Sequence, residues 1–232
     1  MKDYISIFIT NKCNMNCNYC YVKKTNTSFN VEDIKINIDN CLQIIKSNSV
    51  TIEFMGGEPL MEIDLIIDIC EYVKNKYQTL NIQFLLITNG TYYSKKIINV
   101  IKKYNIRVII SIDGSEYFHN LNRKFNNGND SWKTVYSNSL SFLKDIPNNV
   151  GASITLTAIN VDYLCEAILN LYNMGFKNIN FTYYNPEVKP RFLKEYYNQL
   201  IKYYENYNFN DLKLIVIEDI KRKTTSYYNE KG

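Results

Sequence analysis

Apolar and polar positions follow two rhythms along this chain. Short runs rich in Ile, Val, Leu and Phe occur at 4–10 (YISIFIT), 50–55 (VTIEFM), 82–88 (IQFLLIT), 106–112 (IRVIISI), 151–159 (GASITLTAI) and 177–184 (KNINFTYY), and they predict strands. Between them, apolar residues recur at three- and four-residue spacing, which predicts helices. These are 32–47 (Ile34, Ile38, Cys41, Leu42, Ile45), 64–77 (Leu65, Ile69, Cys70, Val73), 94–104 with Ser94 as N-cap, 132–144 around Trp132, Val135, Leu140 and Leu143, and 161–174. A polar, Tyr-rich helix at about 191–207 and a short apolar run at 212–217 are expected to follow.

Six βα repeats with buried strands imply an α/β protein with a parallel sheet and right-handed crossovers. Six are too few to close an eight-stranded barrel, so the periodicity leaves an open, curved barrel or a doubly wound sheet. The pattern breaks at Asn185, Pro186 and Pro190. The expected organisation is therefore a domain over 1–185 and a helical, short-strand extension over 186–232.

Composition narrows the function. A chain of 232 residues that is 46% hydrophobic can bury a sizeable core. A net charge of +4 gives no reason to expect a nucleic-acid or membrane-surface partner. The opening MKDYISIFIT lacks the long apolar stretch and cleavage site of a signal peptide, and no apolar run has the length of a membrane span. The expectation is a cytoplasmic protein with reduced thiols, in which clustered cysteines point to metal or catalysis before disulfides.

The chemistry-bearing residues gather directly after strands. Cys13, Cys17 and Cys20 follow the first, Gly56-Gly57-Glu58-Pro59 the second, Thr88-Asn89-Gly90 the third, and Ser111-Ile112-Asp113-Gly114 the fourth. In parallel α/β architectures that edge hosts the active site. A structural zinc site wants four ligands, usually as two pairs; His119, the single histidine, could complete one but lies far along the chain. A four-iron cluster held by three thiolates, with its fourth iron open to chemistry, fits the loop better.

The spacing C-x3-C-x2-C with Tyr19 before the last cysteine resembles the radical S-adenosylmethionine superfamily. CNMNCNYCY, GGEPL, TNG and SIDG followed by HNLNR resemble its peptide- and protein-modifying branch, which includes anaerobic sulfatase-maturating enzymes and SPASM/twitch peptide maturases. The resemblance spans roughly 4–184 and implies a partial (β/α)6, TIM-like open parallel barrel. It implies a [4Fe-4S] cluster on Cys13, Cys17 and Cys20, and S-adenosyl-L-methionine as second cofactor. Gly56, Gly57 and Glu58 would meet the methionine amino group, Ser111 and Asp113 the ribose, Arg123 the methionine carboxylate, and Tyr19 the adenine region. The implied activity is reductive cleavage of S-adenosylmethionine to a 5′-deoxyadenosyl radical that modifies a peptide or protein. The implied partners are that substrate and a one-electron donor such as flavodoxin or ferredoxin, with no nucleic acid and no membrane. An activating enzyme for a glycyl-radical partner is the alternative, and a non-catalytic metal or electron-transfer protein a more distant one. The resemblance does not extend to a cysteine-rich C-terminal region, because no cysteine follows Cys165. One cluster is expected, with Cys41, Cys70 and Cys165 as packing residues. His119 is expected in a loop without a cofactor role, and Asn89 as a turn residue.

Overall fold

The computed structural model describes residues 3–184. The helix and strand expected beyond 190 lie outside these residues, as does the proposed C-terminal extension. The described chain forms two compact units. One contains the residues up to Ile110 together with Asn122–Val150; the other contains Ser111–Leu121 and the residues from Gly151.

In the first unit, β1 (Asp3–Thr10), β2 (Ser49–Gly56), β3 (Asn81–Thr88) and β4 (Arg107–Ser111) pair in that order, all parallel. Helices α1 (Val31–Ile44), α2 (Ile63–Lys76) and α3 (Lys95–Tyr104) fall between successive strands. One sheet face carries Ile5, Ile7, Ile9, Val50, Ile52, Phe54, Phe84 and Leu86, all buried, and Phe54 stacks on Phe84 at 5.7 Å. Helices α1 to α3 answer with Ile34, Ile38, Leu42, Ile66, Ile69, Val73, Ile97 and Ile101. Ser94 caps α3 as expected, its hydroxyl accepting from Ile97 N at 3.2 Å. Helix α5 (Trp132–Asp145) is present, but its inner face is Val135, Ser139 and Phe142, while Leu140 is 40% exposed.

The second unit holds α4 (Glu116–Asn122), α6 (Leu164–Met174) and the parallel pair β5 (Val150–Leu156) and β6 (Ile179–Tyr183). Strand β5 stops earlier than its apolar run suggests. Asn160 Oδ1 accepts from Thr157 N at 2.7 Å and closes a turn there. The 116–122 stretch, read from sequence as a loop, is helical.

Candidate cofactor site

The cysteine loop leaves β1 at Thr10, which is fully buried. The GGEP segment grips its start. Gly57 N donates to Thr10 O at 2.7 Å and Glu58 N to Lys12 O at 2.8 Å. A Cβ on Gly56 would lie 2.4 Å from Thr10 O, and one on Gly57 would lie 2.1 Å from Lys12 O. Gly56 also has φ +137°, which an L side chain rarely adopts. The two glycines let one backbone press against another, and what they approach within this chain is the cysteine loop itself.

A second segment holds the loop from its other side. Asn16 N donates to Lys124 O at 2.7 Å, Asn18 N to Asn122 O at 2.9 Å, and Asn126 N to Asn14 O at 3.0 Å. Asn126 Nδ2 reaches Cys13 O at 2.7 Å. Met15, fully buried, forms an antiparallel bridge with Phe125. The 124–130 stretch is a tight hairpin, with Lys124 bridged to Asp130 and Phe125 N donating to Asn129 O. Sequence reading missed this strap, because nothing in NRKFNNGND shows which backbone it will pair with.

Glu58 faces inward. It is fully buried, and its carboxylate accepts from Leu60 N at 3.0 Å, Thr88 Oγ1 at 2.7 Å and Asn89 N at 2.7 Å. Burial raises its pKa to about 7, against the lowering effect of these three donors. The carboxylate expected to meet an ammonium group thus ties the GGEP loop to the end of β3. Asn89 extends the link, its Nδ2 donating to Asn14 Oδ1 at 2.9 Å and lying 3.8 Å from Cys13 Sγ. Its place directly after a strand was the available signal, and it is more than a turn residue.

The thiols suit an iron–sulfur cluster by their chemistry. All are reduced; Cys13 and Cys17 are half-buried and Cys20 is exposed. Cys13 Sγ accepts from Met15 N at 3.5 Å, and backbone donors of this kind stabilise a coordinated thiolate. Without a metal, burial pushes the Cys13 thiol up to about 11; coordination removes that proton. Among the described residues no three His, Cys, Asp or Glu side chains converge as a single ion requires. Thiols spread along a loop match a cubane, in which each holds its own iron.

Two residues named separately for the cofactor meet each other: the Arg123 guanidinium lies 5.2 Å from the centroid of the Tyr19 ring, and Arg123 is 4% exposed. Ser131 Oγ fixes the Arg123 carbonyl at 2.6 Å. In the second unit, Ser111 is half-exposed, whereas Asp113 is buried with Oδ1 accepting from Thr155 N at 3.1 Å. That contact caps the strand end. His119, fully buried on α4, accepts from Asp113 N at 3.4 Å through Nδ1. Cys70 and Cys165 are buried and Cys41 is half-buried, and burial raises the pKa of both Cys70 and Cys165. No helix among the described residues is long and apolar enough to cross a membrane.

Comparison with known proteins agrees with this geometry. The model of the Radical SAM superfamily matches residues 7–169. An uncharacterized protein of Methanocaldococcus jannaschii is 35% identical over 191 residues, 80% of this chain and 64% of that protein. The radical SAM cyclopropyl synthase TigE of Paramaledivibacter caminithermalis is 30% identical over 229 residues, 87% of this chain and 46% of that one. A solved structure of native anSMEcpe with bound AdoMet and Cp18Cys peptide superposes with a TM-score of 0.69 at 23% identity, covering 78% of this chain and 50% of that one. The chain thus spans roughly half to two thirds of the length of these proteins. Its fold is the open parallel α/β fold of that structure, and its cofactors are a [4Fe-4S] cluster and S-adenosylmethionine. The chain belongs to the radical SAM superfamily.

Proposed function

We propose that this chain is the catalytic domain of a peptide- or protein-modifying radical enzyme. The observation that carries the reading is the fixing of the cysteine loop by backbone contacts from the GGEP segment on one side and the 122–126 strap on the other. Such over-determination suits a site that must hold a cofactor in one geometry. Cys13, Cys17 and Cys20 are the residues assigned to the cluster. The bound cofactors supply reductive cleavage of the sulfonium and a carbon radical that removes a hydrogen atom from the substrate.

The chain's own part is placement. Gly56 and Gly57 set the GGEP backbone against the cysteine loop, where that backbone can meet the methionine amino group. Glu58 acts through this loop as a positioning residue. Arg123, stacked on Tyr19 and shielded from water, is assigned to the methionine carboxylate, and Tyr19 to the wall beside it. Ser111 is assigned to the ribose, with Asp113 shaping the strand end beside it. A peptide substrate is supported by the peptide held in the anSMEcpe structure. The electron comes from a donor such as flavodoxin or ferredoxin, and cytoplasmic conditions suit six cysteines in thiol form.

The test is anaerobic reconstitution of the full chain, followed by reduction in the presence of S-adenosylmethionine. Iron and sulfide should each approach about four per chain, with 5′-deoxyadenosine as product. Iron near eight per chain, or a cluster with no nucleoside formed, overturns the reading.

A further inference from the structure

Strand register places one set of side chains on the sheet face opposite α1 to α3. Tyr4 pairs with Thr51, Ser6 with Glu53, and Phe8 with Met55; Thr51 and Glu53 continue to Gln83 and Leu85. On this face of β1 to β3 the single carboxylate is Glu53, which is half-buried and accepts from Ser6 Oγ at 2.7 Å. Its row continues through Leu85 to Arg107, two strand spacings or about 10 Å away. No lysine or arginine pairs with Glu53 among the described residues.

Aromatic rings stand beside this carboxylate. Phe8 is 36% exposed and meets Tyr21, 75% exposed, edge-on at 6.4 Å and 70°. Tyr21 directly follows Cys20 in the chain. A half-buried carboxylate with open lone pairs and two accessible ring faces matches one class of group. That group is a cation on an aliphatic stem, which the rings attract by cation–π contact and the carboxylate by charge. An anionic group would meet an unpaired like charge, and a purely apolar one would leave the carboxylate desolvated.

We infer that Glu53, Ser6, Phe8 and Tyr21 form a recognition site for a lysine or arginine side chain of the substrate, beside the cysteine loop. The inference rests on the proposed peptide reading, which supplies the substrate class. The site sets which residue is anchored next to the radical.

The experiment uses the reconstituted full chain with S-adenosylmethionine, titrated calorimetrically with acetyl-Gly-X-Gly-amide probes, where X is Lys, Arg, norleucine or Glu. Agmatine serves as a cation without a peptide backbone. Lys and Arg probes should bind on the order of tenfold more tightly than norleucine. Glu53→Gln should erase that preference with an unchanged circular dichroism spectrum. Equal binding of Lys and norleucine probes by the parent overturns the cation site and leaves the peptide reading intact. Glu53-dependent binding of agmatine with no binding of any peptide supports the site and overturns the peptide reading. A preference that survives Glu53→Gln, or no cation preference in any probe, overturns the site.

Discussion

Asn126 Nδ2 donates to the carbonyl of Cys13 at 2.7 Å, joining residues 113 positions apart. The first thiol of the cluster motif is thereby held by a hairpin whose sequence carries no cysteine. The bond is exposed, so its loss should cost the fold little, about 1 kcal/mol or less. Its loss should matter more to the loop. Asn126→Ala should assemble the cluster yet lose it several-fold faster to a chelator, followed by decay of the brown absorbance. An unchanged decay rate would show that the backbone pairs at Asn14, Asn16 and Asn18 are enough.

Gly57→Ala tests the opposite side of the loop. The added methyl would sit 2.1 Å from Lys12 O, a backbone atom that cannot swing away. Overpacking of this kind costs on the order of 2–3 kcal/mol. The expected outcome is a folded protein with a displaced cysteine loop and iron well below the parent after reconstitution. Full iron content with parental thermal stability would mean that the two backbones can separate freely.

Glu58 gives a pH dependence whose sign follows from burial. Unfolded, its carboxyl titrates near 4.5; folded, near 7. Between these values the native chain keeps a proton that the unfolded chain has lost. The group's contribution to stability is therefore fully present below 4.5 and is lost as pH rises through about 7, a change on the order of 3 kcal/mol. Urea unfolding of the cluster-free chain at several pH values should show this slope, and Glu58→Gln should flatten it. A variant with the parent's slope would assign the titration elsewhere.

Cys17→Ala and His119→Ala should fail in different ways. The first removes a proposed iron ligand and should abolish 5′-deoxyadenosine formation with little loss of stability. The second empties a fully buried position and removes the Nδ1 acceptor of Asp113 N, which should cost about 2–3 kcal/mol in thermal unfolding. Cluster content per folded molecule should stay at the parental level. Iron loss at constant stability in His119→Ala would bring the histidine into the site.

The sequence by itself determined the order of strands and helices, because apolar periodicity reports burial locally. It also showed that the Cys, GGEP, TNG and SIDG motifs each follow a strand, and that order alone gathers them at strand ends. Ser94 and the α3 face were legible for the same reason: the cap and the stripe are written in neighbouring residues. Where burial depends on a distant partner, the pattern misleads. Leu140 is apolar yet exposed, and Ser139 is polar yet buried, because the packing around α5 decides its inner face. Tertiary structure alone turned Glu58 inward to Thr88 and Asn89, stacked Arg123 on Tyr19, and laid the 122–126 strap against the cysteine loop. These are backbone and side-chain bonds across tens of residues. Their partners are fixed by where strands bring the chain, and a motif lists only the groups available to be joined.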